Sequence, residues 1–410
     1  MNTKPIIIMI IIAVVVAAAA ISTYMVSEPE PAMTTSSELS GVVNLGMLFA
    51  LTGDMSSYGE ESHAAALLAV DDFNAYLAEK DSKWSINGIV EDSQTNPVIA
   101  LEKVEAIHSR DAKVIVGPGT SANLRNIMGY TDANGMVLIS YSSTAPALAI
   151  PDDHIFRTVP DDNSQAPAIT ALLKSRGIDV LVPVWRGDTW GDGLKESTER
   201  SFTESGGIVT DGIRYNPDTP EFSASTSLLA EQVREYTEQY GEDKVGVLLI
   251  SFAEALPFMQ SSSENDILVN VKWFGCDGNS NLQNIVEDPI GLEFINATDF
   301  TAVQFSTADN SINKRVSEQV AASLGRTPTV YAHSAYDAVW LAGLAIESAQ
   351  GTNAKDIKAS IPVVAQDYTG AVGPIKLNDA GDLVSLGYAI WAVHDGQWTI
   401  IGNSADFDTS

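Results

Sequence analysis

From residue 42 onward, short apolar runs alternate with amphipathic stretches, and that alternation leaves few architectures open. Residues 42–51 read as a strand, and the next stretch sets Ala66, Val70, Phe73 and Leu77 at i, i+4, i+7 and i+11 of one helix face. A strand near 84–90 leads to a second helix with Ala100, Val104 and Ile107 on one side. Two strands follow, Val114-Ile115-Val116 and Val137-Leu138-Ile139. After a break around 155–162 the pattern restarts, with strands expected near 180–185, 208–215, 245–250 and 269–274. Strand and helix alternating at roughly 25 to 35 residues per unit fits parallel sheets covered by helices and joined by short connections. Two α/β lobes of similar size are expected.

The chain is long enough for two cores: 410 residues, 45% hydrophobic and 19% charged. Its 53 acidic against 23 basic residues, a formal charge of −30, argue against nucleic acid, which needs a cationic face. Such a surface suits a protein kept soluble outside the cell. With Cys276 as its single cysteine, the chain forms no internal disulfide.

After Lys4 no charged residue occurs before Glu28, and residues 6–21 are continuously apolar. Residues 1–27 therefore read as an export signal or membrane anchor, with a retained helix favoured over cleavage. Residues 28–41, polar and proline-bearing, read as a flexible tether.

Catalytic patterns are lacking. The sequence has no G-x-S-x-G elbow, P-loop or H-E-x-x-H pair, and His63, His108, His154, His333 and His394 are scattered. Gly117-Pro118-Gly119 is no dinucleotide fingerprint, because Ala122 stands where a third glycine belongs. Asp277-Gly278-Asn279-Ser280-Asn281 starts like a calcium loop, but Leu282 occupies the turn that needs glycine. Neither a cofactor nor a metal is expected.

Two strand ends are more telling. Val116 runs into Gly117-Pro118-Gly119-Thr120-Ser121, and Ile139 into Ser140-Tyr141-Ser142-Ser143-Thr144-Ala145-Pro146. Each sets hydroxyls beside unpaired backbone N–H groups at a strand's carboxyl end, where open α/β sheets bind ligands. Ser121 and Thr144 could hold a carboxylate there, the plainer role being a helix cap. Tyr58 lies in the loop before the first helix, either in the site or packed over the helix start. Trp190 could lid a cleft, and Asp277 could meet a ligand ammonium.

These residues resemble the type I periplasmic binding proteins of ABC uptake systems, in the leucine/isoleucine/valine-binding branch. The resemblance spans residues 42–398. It rests on Leu51-Thr52-Gly53 with Tyr58-Gly59, Ser143-Thr144-Ala145-Pro146, Phe156-Arg157-Thr158, Tyr336-Asp337-Ala338-Val339, and Gly373-Pro374-Ile375 with Gly381-Asp382. It implies a two-lobed α/β clamp, each lobe a mostly parallel sheet flanked by helices, with three crossovers. The implied lobes are 42–162 with 301–386, and 163–300 with 387–410.

By the same resemblance, Ser121, Ser142 and Thr144 hold a carboxylate and part of an ammonium, and Asp162 faces the cleft near the first crossover. Asp277 stands where leucine-binding members carry a glutamate, while Trp190 and Phe252 replace tyrosines, removing two hydroxyls. The implied function is an extracytoplasmic, membrane-tethered, monomeric receptor that hands a small amino acid to an ABC permease without chemistry. An amide or urea receptor of the same fold, and a ligand-sensing domain, are the alternatives; a sensor would usually continue into a second membrane helix.

Overall fold

The computed structural model describes residues 39–407. The expected signal or anchor, and all but the last residues of the tether, lie outside the described residues. Among the described residues no helix is long and apolar enough to cross a membrane.

The first lobe opens with β1 (Gly41–Phe49), α1 (Ser56–Glu79), β2 (Trp84–Asp92), α2 (Pro97–Ser109), β3 (Val114–Val116), α3 (Ser121–Ala133), β4 (Val137–Ser140) and β5 (Ile155–Arg157). Its sheet runs β2-β1-β3-β4-β5, all parallel. The chain then builds α4 (Asp162–Ser175), β6 (Val180–Arg186), α5 (Thr189–Glu204), β7 (Ile208–Val209), β8 (Ile213–Tyr215), α6 (Ser223–Tyr240) and β9 (Val245–Ile250). It continues with α7 (Ala255–Ser262), α8 (Asp266–Val269), β10 (Lys272–Gly275), α9 (Gln283–Glu287), α10 (Pro289–Ala297) and β11 (Thr301–Phe305). Helices α11 (Ser311–Leu324), α12 (Val330–Ala349) and α13 (Ala354–Asp367) rejoin the first lobe, where α12 packs along α1. The hairpin β12 (Tyr388–His394) and β13 (Gln397–Asn403) ends the second sheet. That sheet runs β13-β12-β11-β10-β9-β6-β7, with β8 also on β6. Its strands are parallel except the hairpin.

Strands covered on both faces must be apolar throughout, and β4, β6 and β9 are buried at every residue. The stripe Ala66, Val70, Phe73 and Leu77 of α1 is buried, as are Ala100, Val104 and Ile107 of α2.

Three expectations need correction. Residues 208–215 are two strands, because the chain turns at Gly212, whose φ is +66° and whose Cβ would lie 2.2 Å from the Pro183 carbonyl oxygen. Residues 266–269 form a helical turn around buried Leu268, so that strand starts at Lys272. Residue 301 does not begin the return to the first lobe: β11 pairs with β10 on one side and β12 on the other.

The chain passes between the sheets near 158–161, 306–310 and 384–387, and hydrogen bonds tie the passages together. Ser306 N donates to Gly387 O (2.9 Å), and Leu383 N to Arg157 O (3.0 Å). Arg157, with no exposed side-chain surface, forks onto the Asp382 carboxylate and donates to Ala145 O (2.9 Å). Two motif fragments 225 residues apart are thus one buried ion pair.

Candidate functional site

The carboxyl ends of β3 and β4 face those of β6, β9 and β10 across a nearly closed cleft, whose cavity volume is only about 10 Å³. Met55, Gly119, Thr120, Ser121, Ser142 and Tyr331 line it from one lobe, and Trp190, Phe252, Asp277 and Gly278 from the other. A wider groove on the first lobe, between residues 151–156, α13 and residues 375–381, brings together none of the expected site residues.

On the first lobe the chain leaves β3 through Gly117, whose φ of +112° brings its Cα so near β1 that a Cβ would lie 2.2 Å from Leu48 O. Thr120, not Ser121, caps α3, its hydroxyl accepting from Asn123 N at 3.3 Å. Ser121 is buried, its hydroxyl 2.9 Å from that of Ser143 and accepting from Ala145 N at 3.2 Å. Ser142 donates to Gly119 O at 2.8 Å. Ser121 and Ser142 therefore also brace the two loops against each other. Thr144 is buried, and its hydroxyl lies against the Asp162 carboxylate without completing a well-aligned hydrogen bond.

Asp162 opens α4, whose cap is Asp161, and Asp162 N donates to Thr144 O at 2.9 Å. Gln165, one helical turn on, donates to Asp162 Oδ1 (2.9 Å) and accepts from Asp277 N (3.0 Å). Asp277, in the loop after β10, accepts from the Tyr331 hydroxyl on Oδ2 at 2.8 Å. Asn279 shapes that loop: it accepts from Cys276 N (2.9 Å) and donates to Leu249 O (2.8 Å). Asp162 Oδ2 and Asp277 Oδ1 have no hydrogen-bond partner. Burial raises both pKa values. For Asp162 the charge of Asp277 adds to the rise, with Thr144 and Arg157 pulling back; for Asp277 the Tyr331 and Gln165 contacts offset it in part.

Opposite stands an aromatic wall. Asp188 caps α5, accepting from Trp190 N (3.0 Å) and Gly191 N (2.9 Å), which sets the indole at the cleft. Trp190 stacks on Phe252 with centroids 4.6 Å apart and planes 11° apart. The Arg186 guanidinium lies 4.0 Å from the Phe252 centroid and pairs with Glu254 and Asp188, each at 2.6 Å. Gly278 is required here, since a Cβ would lie 2.3 Å from the Trp190 ring.

Residues 61–396 match the receptor family ligand binding region. The chain belongs to this family. An uncharacterized protein of Methanocaldococcus jannaschii is 28% identical over 393 residues, 91% of this chain and 92% of that protein. The Leu/Ile/Val-binding protein BraC3 of Rhizobium johnstonii is 22% identical over 359 residues, 87% of this chain and 92% of that protein. The leucine-binding protein LivK of Thermotoga maritima has the same fold, with a TM-score of 0.74 at 18% identity, covering 88% of this chain and 98% of that one. The type I periplasmic-binding-protein architecture expected from the sequence is borne out.

In this receptor-family chain, five of the eight expected site residues, Ser121, Ser142, Trp190, Phe252 and Asp277, line one space; Asp162 adjoins it through Gln165, which contacts both acids, and Thr144 stands beside Asp162. Tyr58 does not line it. Its hydroxyl donates across the lobes to Ser280 O at 2.7 Å, and its ring meets Tyr331 edge-on at 5.3 Å. Tyr331, Gln165 and Arg186 were not foreseen. Gln165 had a signal, being three residues past Asp162 on one helix face; Tyr331 and Arg186 had none.

Proposed function

We propose that the protein is the solute-binding component of an ABC importer, held outside the cell by residues 1–27, which closes its lobes on a small amino acid of the branched-chain class. One observation carries this reading: Asp277, with one unpaired oxygen, lines a cleft shared by both lobes opposite the Ser121 and Ser142 loops, and the buried Asp162 carboxylate beside Thr144 adjoins it. A group carrying both an ammonium and a carboxylate answers that pattern. Asp277 takes the ammonium, Thr144 and the amides at Ser121 and Ser142 take the carboxylate, and the Trp190–Phe252 wall packs the side chain. Ligand contacts to both lobes stabilise closure, the usual source of clamp action. The Leu/Ile/Val-binding relative and the leucine-binding neighbour support the ligand class.

A thermal-shift panel on the full chain tests it, with L-leucine, L-isoleucine, L-valine, L-threonine and L-alanine against acetamide, urea and benzoate. A ligand at 100-fold over its Kd adds about 2.7 kcal/mol of stability. A shift of a few degrees with an aliphatic amino acid is the expected result. Shifts with acetamide or urea alone would move the substrate to amides.

A further inference from the structure

The two carboxylates of the cleft have no cation of their own. Asp162 has no exposed surface and Asp277 3%, yet among the described residues no lysine, arginine or histidine forms an ion pair with either. Arg157, at the end of β5, is the nearest cation acting on Asp162, and it is spent on Asp382 and on the Ser143 and Ala145 carbonyls. From α4 the pair faces Gln165 and, beyond it, Asp161, itself acidic. From α12 and α1 it faces the neutral phenols of Tyr331 and Tyr58, from β12 that of Tyr388, and from its own loop the Cys276 thiol. The Gln165 amide joins the two acids, but its one NH₂ donor contact goes to Asp162 and its oxygen receives the Asp277 backbone. One oxygen of each acid is left without a partner.

Two buried negative charges in this setting cannot both persist when nothing cationic is present, because each desolvated charge raises the cost of the other. Dyads of this kind retain a proton. We propose that the closed cleft without ligand holds one proton on the Asp162–Asp277 pair, and that an incoming primary ammonium displaces it, so that capture releases a proton to solvent. The exchange balances: one carboxyl O–H bond breaks, its proton leaves to buffer, and R–NH₃⁺ takes its place with all three N–H bonds intact. Asp162 is thereby a second ammonium-binding residue and Gln165 a positioning residue. The inference rests on the amino-acid reading above and sharpens it: the site selects a full cation, so an amide or urea, which cannot replace a proton's charge, is rejected by charge as well as by shape.

Calorimetry of the full chain tests this. The amino acid of the panel that gives the largest thermal shift is titrated in phosphate and in Tris, whose ionisation heats differ. Observed heats should differ between the buffers by the number of protons released times the difference in their ionisation heats, a number that approaches one as the pH falls. Affinity should drop by up to tenfold for each unit of pH below the pair's titration. Asp162→Asn should abolish the buffer dependence and flatten the pH profile, and should weaken binding most at high pH, where the unaltered pair is fully ionised and offers the ammonium two carboxylates. Equal heats in both buffers at every pH, with binding intact, would overturn proton exchange and leave the amino-acid reading standing. No binding by any amino acid would overturn that reading itself. The pair is then followed without ligand, by carboxyl carbon NMR of aspartate-labelled protein with Asp162→Asn giving the assignment: a shared proton persisting above the ordinary carboxylate range supports the dyad, and ordinary titration of both acids refutes it.

Discussion

At the scale of single residues, the site depends on groups whose charge is set by burial. Asp277→Asn removes the carboxylate proposed to meet the ammonium and keeps the shape. Amino-acid binding measured by calorimetry should weaken by about 2 to 5 kcal/mol, the cost of breaking a buried charge pair; unchanged affinity would remove Asp277 from the site. Glu61 is a different buried acid. It accepts from Thr329 N at 3.0 Å and from the Thr329 hydroxyl, joining α1 to the start of α12, where Tyr331 stands. Burial pushes its pKa from 4.5 up to about 7, against the Thr329 donors and Arg326. The native state then binds the proton more tightly than the unfolded chain, so this contribution to stability is largest below 4.5 and is lost as pH rises toward 7. Glu61→Gln should remove that part of the slope in melting temperature against pH; an unaltered slope would contradict it. Of these residues Asp277 was legible as an acid after a strand. Glu61 was not, because its burial comes from a helix 268 residues away.

At the scale of elements, strands and helices were legible where a single periodicity held for several turns or the strand was buried on both faces. The reading failed where a bend or a short turn decided the matter, at Gly212 and at residues 266–269. The aromatic wall shows the same limit. Trp190 and Phe252 could be placed after β6 and β9, but their stacking on one another, with Arg186 beneath, depends on how those strand ends lie in the sheet. Phe252→Ala would leave the Arg186 side chain and Trp190 without their shared ring. Stability should fall by about 3 to 5 kcal/mol, as for large-to-small changes at a buried aromatic, read as a lower denaturation midpoint. A loss below about 1 kcal/mol would mean that the wall collapses into the gap at little cost.

At the scale of the whole molecule, two tyrosines of the first lobe reach the second: Tyr58 to Ser280 O and Tyr331 to Asp277. Ala253 N adds a bond to Asp54 O at 3.2 Å. Such bonds favour closure before any ligand arrives, so Tyr58→Phe should open the ligand-free clamp, seen by small-angle scattering as a larger radius of gyration, and weaken binding by about 1 kcal/mol. An unchanged radius would deny Tyr58 that role. The two-lobed plan was legible from the alternation and from motif fragments. Which fragments meet was not: Arg157 with Asp382, and Asp337 with the amides of Ala371 and Val372, are pairings made only by the folded chain. The central claim is capture of an ammonium and a carboxylate together, and titration calorimetry of the full chain with L-leucine and with 4-methylpentanoate, which lacks only the amino group, tests it most directly. The account predicts saturable binding of leucine and loss of at least tenfold in affinity for the acid; equal binding of the two, or binding of the acid alone, would contradict it.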